Sequence, residues 1–214
     1  MHTNGRVAVS IALLCIGGAL TVNLAAQERL PPIPPEKMTD AQKKAVVEYK
    51  EVRKIDLAPG PFAVLLRVPD LVVPSMEIRL HNQKNSALSP KLTELAILIA
   101  ARQYTNNYEW NAHNGVAVQA GLDPAIVAAI AVGSRPEHMS EEEAVLYDFC
   151  DELNRHQSVS DGTYARALAK FGEAGVVEAT ALEGYYAYLG MVMSVARTAL
   201  PAGAKPALQA FPNR

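Results

Sequence analysis

This sequence has few cysteine and tryptophan residues, and neither basic nor acidic residues are in clear excess. Its 214 residues include 2 cysteines and 1 tryptophan, and the formal net charge is −2. Two cysteines are too few for a disulfide scaffold or for a cysteine-based zinc site. Nucleic-acid-binding proteins normally carry a basic excess or a basic stripe, and neither is present here. We therefore expect no nucleic-acid partner.

Apolar residues, in contrast, are abundant. Hydrophobic residues make up 50% of the chain and charged residues 20%, which excludes disorder for most of its length. A chain of 214 residues is long enough to bury the core of one substantial domain. Composition therefore predicts a globular protein.

Residues 1–26 have the pattern of a secretory signal peptide. Arg6 precedes an apolar run over residues 7–22, and Ala25 and Ala26 supply small residues at its end. A positive start, an apolar middle and a small-residue end are typical of such leaders. We predict cleavage near Ala26 and export to the periplasm or the medium, with no stable membrane insertion afterwards. The alternative is an uncleaved membrane anchor formed by the apolar run, which is short for a span of roughly 20 residues.

Proline and capping signals divide the rest of the chain. Four prolines make residues 27–38 an extended lead-in, and we expect a single helical domain over residues 39–214. Ser, Thr, Asp and Asn residues stand before segments with helical apolar spacing, and no segment alternates with the period of a strand. The fold class is therefore all-α. The predicted helices run over about 40–54, 90–103, 108–120, 124–132, 140–155, 161–171 and 175–199, with only helical turns over 62–80.

Glu94, Glu109 and His113 form the one cluster that suggests chemistry. Glu109 and His113 are four residues apart and share a helix face, and Glu94 lies on the preceding predicted helix. A chain reversal between the two helices would bring all three together. A carboxylate beside an imidazole orients the ring, which suits general acid/base catalysis. Taken alone, the Glu–His pair also fits a surface ion pair or a histidine satisfied in the core.

Three neighbouring residues are candidates for contacting a substrate. Tyr108 and Trp110 flank Glu109, and Arg102 lies one turn before the break between the two helices. Arg102 is equally suited to binding an anionic group or to pairing with a nearby glutamate. The histidines show no ligand spacing such as H-E-x-x-H, so we expect no metal and no cofactor.

Two further groups are assigned to packing. Cys150 has apolar neighbours at helical spacing and is expected to be a small core residue. Tyr185 and Tyr186 belong to an apolar stripe on the last helix that is assigned to the core or to a subunit interface, with a place for Tyr185 at the edge of a pocket as the alternative.

The surroundings of Glu109 resemble the carboxymuconolactone decarboxylase family, which includes the AhpD-type alkylhydroperoxidases. The most specific motif is Tyr-Glu-Trp-x-x-His at residues 108–113. Supporting similarity covers roughly residues 40–200, at Glu94, Arg102, Ala120–Leu122, Arg135–Ser140, Phe171–Glu173 and Gly184–Tyr186. The resemblance implies an AhpD-like helical bundle with its site in a helix pair, assembled as a homo-oligomer, either a trimer or a hexamer.

The two branches of this family differ at the site. The peroxidase branch carries Cys-x-x-Cys-x-x-x-His, whose thiols fall on Asn106 and Glu109, whose histidine falls on His113 and whose relay glutamate falls on Glu94. Dithiol peroxide reduction needs both a thiolate nucleophile and a resolving thiol. The decarboxylase-like branch carries the Tyr-Glu-Trp-x-x-His form, although it often has an arginine where this chain has Thr93.

The resemblance therefore implies a cofactor-independent acid/base enzyme acting on a small organic acid or lactone, with decarboxylation as the leading reaction. His113 would move the proton, Glu109 would orient or assist it, and Glu94 would relay it. Three alternatives stay open. They are an antioxidant peroxidase with peroxiredoxin activity, a lactone or halide hydrolase, and a non-catalytic ligand-binding oligomer.

Overall fold

The computed structural model describes residues 28–210, and over this range the fold is all-α, as predicted. Two short 3-10 helices, Pro35–Lys37 and Pro69–Leu71, accompany the α-helices. The α-helices are α1 (Asp40–Arg53), α2 (Pro61–Leu65), α3 (Val72–Lys84), α4 (Pro90–Gln103), α5 (Asn107–Gln119), α6 (Pro124–Ala131), α7 (Glu141–His156) and α8 (Asp161–Ala196).

The predicted signal peptide lies outside residues 28–210 and stays a prediction, as does its apolar run. Within the described range, none of the helices has the length and hydrophobicity needed to cross a bilayer.

Side-chain caps begin most helices where the sequence predicts them. Thr39 and Ser140 form capping boxes with Gln42 and Glu143, in which each partner satisfies a backbone N–H of the other. These bonds satisfy N–H groups that a helix start otherwise leaves unpaired. Single side-chain caps begin the four remaining long helices after α3, at Ser89, Asn106, Asp123 and Ser160.

Helix α4 is the centre of the fold. It packs against α5, α7 and α8, and between Leu92 and Arg102 every residue is buried except Glu94. Full burial of one leucine side chain contributes about 1.5–3 kcal/mol relative to exposure. A helix buried on nearly all sides gives a rigid support for Glu94, which lines the cavity described below.

Helix α8 contains the break that the sequence predicts between two helices. Gly172 has φ 68° and ψ 179°, so the helical path is interrupted there. A positive φ is readily adopted by glycine because it has no Cβ. The part after Gly172 runs along α4 and carries Tyr185 and Tyr186 into the core.

The segment between residues 62 and 84 is more helical than predicted. Where the sequence suggests isolated turns, the structure has the short helix α2 and the 13-residue helix α3. Pro74 lies in the first turn of α3, where its missing N–H would have no helical partner. This longer helix extends to the site described below.

The end of the chain is held by the start of α5. Asn107 Oδ1 accepts hydrogen bonds from the N–H groups of Ala207 and Leu208, each at 2.8 Å, and its Nδ2 donates to Leu208 O at 3.1 Å. Leu208 is buried in the core. The tail therefore covers the turn between α4 and α5.

Candidate active site

The turn between α4 and α5 brings the two predicted acid/base faces together. Thr105 adopts a left-handed conformation with φ 48°, and Asn106 follows as the cap of α5. The Asn106 side-chain oxygen accepts hydrogen bonds from two N–H groups in the first turn of α5, at 3.1 and 3.2 Å. As a result α4 and α5 pack against one another, with Glu94 and His113 in contact across them.

His113 lies between two carboxylates. Its Nδ1 is 2.8 Å from Glu94 Oε2, and its Nε2 is 3.5 Å from Glu109 Oε2. Because an ionised carboxylate can only accept hydrogen bonds, we assign a proton to Nδ1 from the short contact with Glu94. Nε2 is then the ring atom that can take up or release a proton. The structure thus brings the three residues of the predicted cluster together.

Burial changes the acidity of this cluster. Glu109 is 4% exposed and His113 is 5% exposed. Burial raises the pKa of Glu109, the charges of His113 and Arg79 lower it, and the charge of Glu94 raises it again. The net pKa is above that of an ordinary carboxyl. Glu109 therefore holds a proton to higher pH than an exposed glutamate, which allows a proton to be shared between it and His113.

Tyr186 of α8 completes the cluster. Its hydroxyl is 3.5 Å from His113 Nε2, and the two rings meet edge to face with centroids 5.3 Å apart. Burial raises the pKa of Tyr186 well above its usual range, so its hydroxyl stays protonated and can donate. Tyr185 packs on the Tyr186 ring with centroids 5.2 Å apart. The tyrosine that contacts His113 is therefore Tyr186, and Tyr185 supports its ring.

A cavity of about 220 Å³ opens beside the cluster. Glu94, Glu109 and His113 line it together with side chains from α1, α2, α3 and α8. Tyr49, Phe62 and Leu189 are among the residues that give this wall apolar surface. Its further polar side chains are those of Arg53, Arg79 and Gln83.

The two arginines in this wall are functional candidates that the sequence pattern does not reveal. Arg79 follows the buried Val72 and Met76 at helical spacing, so it lies on the inward face of α3. An arginine on an otherwise apolar helix face is the signal that could have found it. That signal depends on recognising α3 as one helix, which prolines near its start obscure.

The three predicted substrate contacts are placed differently. Tyr108 lines the cavity, and its hydroxyl donates a hydrogen bond to Pro59 O. Trp110 is buried in the core and is not part of the cavity wall, because one residue beyond Glu109 points about 100° away around a helix. Arg102 is also outside the wall, and its Nη1 donates to Gln209 O at 2.9 Å and to Thr105 Oγ1 at 3.4 Å. Arg102 therefore holds the C-terminal tail, which the sequence gives no means to predict.

Groups that could bind a metal ion or act as a reactive thiol are scarce in the described part of the chain. Among residues 28–210, no group of three or more His, Cys, Asp or Glu side chains could hold a metal ion. Cys150 is free and buried in the core. Burial and the neighbouring Glu183 raise the pKa of the Cys150 thiol well above its usual value, so it stays protonated and unreactive.

Comparison with known proteins identifies the fold. No protein-family model matches the chain, and no curated protein matches it. A solved protein of unknown function from Agrobacterium tumefaciens, described as a candidate antioxidant defence protein AhpD, is 17% identical with a TM-score of 0.56, over 63% of this chain and 92% of that one. The debrominase Bmp8 is 12% identical with a TM-score of 0.62, and the match covers 81% of this chain and 92% of Bmp8. Its cysteine-to-alanine variant, in complex with 2,3,4-tribromopyrrole, gives 12% identity and a TM-score of 0.62, over 82% and 93%.

The chain has an AhpD-like fold. At identities of 12–17%, this similarity shows the architecture and no more. In the AhpD-like bundle described here, Asn106 and Glu109 occupy the positions that the sequence resemblance assigns to the two redox thiols. Asn106 caps α5 and Glu109 is a buried carboxyl beside His113, so these positions carry acid/base and structural groups instead.

Proposed function

We propose that the protein is a cofactor-independent acid/base enzyme acting on a small organic acid or lactone, of the carboxymuconolactone decarboxylase-like kind. The observation that carries the proposal is the 2.8 Å contact between His113 Nδ1 and Glu94 Oε2, with the ring lining a cavity. An imidazole whose Nδ1 is held by a carboxylate, and whose Nε2 has a carboxyl and a hydroxyl at 3.5 Å, is suited to proton transfer.

Each member of the cluster has a separate task in this scheme. Glu94 accepts a hydrogen bond from His113 Nδ1–H, which fixes the ring orientation and tautomer. Nε2 of His113 exchanges a proton with the substrate. Glu109, 3.5 Å from Nε2, stabilises the imidazolium when it is ionised and supplies a proton when it is not. The Tyr186 hydroxyl, which stays protonated, donates to Nε2 or to a developing oxyanion.

Decarboxylation illustrates the proton balance. The bond between the carboxylate carbon and its neighbour breaks, and carbon dioxide leaves. The electron pair passes into an adjacent carbonyl group, which becomes an enolate. His113 Nε2–H then returns a proton to the carbon that lost carbon dioxide, and the ring is reprotonated from Glu109 or from water. No oxidant or reductant is required.

The size of the cavity supports a small substrate. Its volume of about 220 Å³ is below the roughly 300–1,000 Å³ of sites that hold drug-sized ligands. The AhpD-like architecture, which an enzyme such as the debrominase Bmp8 shares, supports a catalytic role in general. A dithiol peroxidase role is disfavoured, because neither Asn106 nor Glu109 can act as a thiolate.

The test is the activity of a His113→Ala variant. We would screen the wild-type protein against small oxo acids, carboxylated lactones and brominated analogues, following carbon dioxide release, ring opening and bromide release. On any substrate found, His113→Ala should lose at least about 100-fold in turnover, because a positioned acid/base group contributes about 10²–10⁴-fold. Circular dichroism should show an unchanged helical fold.

The matched control is His156→Ala, which removes an exposed histidine at the end of α7. It should keep full activity. A fully active His113→Ala enzyme would remove the catalytic assignment. Ligand binding without turnover in the wild-type protein would instead favour the non-catalytic alternative.

A further inference from the structure

Two arginines line the cavity without a direct ion-pair partner. Arg53 at the end of α1 and Arg79 on α3 both line it. Among residues 28–210, neither guanidinium has an ion-pair or hydrogen-bond partner, and Arg79 Nε is buried with no acceptor. Buried charged donors are normally paired, so an unpaired arginine in a cavity wall suggests a partner that comes from outside the chain.

The two guanidinium groups are near one another and near the acid/base cluster. Burial and then the charge of Arg79 lower the pKa of Arg53. The charge of Arg79 also acts on Glu109 and on Tyr186, lowering the pKa of each against the effect of burial. The positive charge is therefore concentrated in the same small space as the reactive imidazole.

Opposite signs of charge stand on two sides of this space. Glu94 and Glu109 are on α4 and α5, whereas the arginines are on α1 and α3. A ligand carboxylate would be repelled by the glutamates and attracted to the arginines. A ligand with one charged end would therefore enter in a single orientation, with its uncharged end against His113.

We propose that Arg53 and Arg79 form the subsite that binds the carboxylate of the substrate. This inference rests on the proposed function and narrows it: the substrate is a small carboxylic acid in its anionic form, not a neutral lactone. The arginines hold this carboxylate on their side of the cavity. The carbon beside it, next to a ketone or a lactone carbonyl, then lies at the end near Nε2, so decarboxylation would release the bound carboxylate as carbon dioxide and protonate that carbon.

A carboxylate on a carbon skeleton fits the walls better than an inorganic anion does. A guanidinium group pairs with either carboxylate or phosphate through two parallel hydrogen bonds. The apolar side chains of Tyr49, Phe62 and Leu189 border the same cavity and would be covered by an organic skeleton. Inorganic phosphate would leave them in contact with water, so it is expected to bind more weakly.

The test compares a carboxylate with its neutral amide, using binding and not turnover. Benzoate, benzamide and inorganic phosphate are titrated into the full chain by calorimetry. In the wild-type protein, benzoate should bind at least tenfold more tightly than benzamide and more tightly than phosphate. Arg79→Gln and Arg53→Gln should each reduce the preference for benzoate at least tenfold, because each removes a charge-assisted hydrogen bond.

Lys84→Gln is the matched control. It removes one positive charge from the same helix, α3, at an exposed position outside the cavity wall. It should leave the preference unchanged. Arg79→Lys tests whether a lost preference reflects misfolding, because lysine keeps the positive charge and the aliphatic stem but lacks the planar guanidinium group. It should retain part of the preference for benzoate over benzamide.

Several outcomes would overturn the inference. They are a wild-type protein with no preference for benzoate, arginine variants that keep the full preference, and phosphate binding more tightly than benzoate. Failure of the proposed function gives a different result. If turnover is independent of His113 while the arginine-dependent preference persists, the anion subsite stands and the acid/base mechanism does not.

Discussion

The two ring nitrogens of His113 have different environments. Its Nδ1 is bound by Glu94, whose side chain is 14% exposed, and its Nε2 faces Glu109, whose side chain is 5% exposed. Water stabilises the charge of the first carboxylate more than that of the second. The two glutamates are therefore not interchangeable: Glu94 holds the ring at Nδ1, and Glu109 is the buried carboxyl whose pKa is raised.

Replacing Glu109 by glutamine should separate these roles. Burial raises the pKa of Glu109, whose ionised form stabilises the imidazolium. As pH decreases, the wild-type rate should therefore begin to fall at a higher pH than it would with an ordinary carboxyl. In Glu109→Gln this acidic limb should disappear. The loss at the pH optimum should be smaller than the loss in His113→Ala, because Glu94 still holds the ring and Nε2 is still present. The measurement is kcat/KM against pH on a substrate found in the screen.

Glu77→Gln serves as the control, since it removes an exposed carboxylate on α3. Its profile should match that of the wild type. An acidic limb that persists unchanged in Glu109→Gln would show that a group other than Glu109 causes it. A loss as large as that of His113→Ala would show that Glu109 itself transfers the proton.

At the scale of elements, helices α4 to α7 were predictable because local chemistry marks both their interiors and their starts. Ser89, Asp123 and Ser140 are caps in the structure as in the sequence pattern. The structure also brings together Glu94 and His113, which the predicted reversal between two helices had suggested. Tertiary features were not predictable, since the apolar pieces around Pro69 and Pro74 have no clear period. The arginines of the cavity wall were missed for that reason.

The contact between α7 and α8 contains a buried acid that the reaction does not use. Glu183 Oε2 accepts a hydrogen bond from Asn154 Nδ2 at 2.7 Å, and among residues 28–210 its buried Oε1 has no hydrogen-bond partner. Burial raises the pKa of Glu183 to about 8, against an ordinary value of 4.5. The folded protein therefore holds this proton up to about pH 8, whereas the unfolded chain releases it near pH 4.5.

Stability should consequently fall as pH rises through this window. The folded state binds more protons than the unfolded state between about pH 4.5 and 8, so the free energy of unfolding decreases with pH. The slope contributed by one such group approaches about 1.4 kcal/mol per pH unit. Glu183→Gln has no titrating group and should lose this slope, as measured by urea unfolding at pH 5, 6, 7 and 8.

An exposed glutamate on the same helix provides the comparison. Glu173→Gln should show the same pH dependence of stability as the wild type. Equal slopes in Glu183→Gln and wild type would mean that Glu183 is ionised in the folded protein.

At the scale of the whole molecule, the outer face of α8 is unusually apolar. Met191 and Val195 lie one turn apart and are 49% and 63% exposed. We propose that this face is covered in a homo-oligomer, a trimer or a multiple of a trimer. Light scattering should then give at least three times the mass of a single chain, because closed symmetric assembly buries equivalent patches.

The variant that tests this assembly is Met191→Glu combined with Val195→Glu. It should dissociate to a monomer while its helical content is retained. Val132→Glu, at a 72% exposed position after α6, should leave the assembly intact. A wild-type protein that is already monomeric at micromolar concentration would contradict the proposal. Export after cleavage near Ala26 stays a separate prediction, which concerns residues outside the described range.

The cap of α5 has a consequence for reversibility in evolution. Asn106 is buried, and its side-chain oxygen binds two N–H groups at the turn that unites the site. A cysteine there would lose a cap worth about 0.5–2 kcal/mol before any second thiol existed to use it. A cysteine at Glu109 would remove the carboxyl beside His113 just as early. Single-step routes toward a dithiol pair therefore pass through proteins that have lost either the cap of α5 or the carboxyl beside His113.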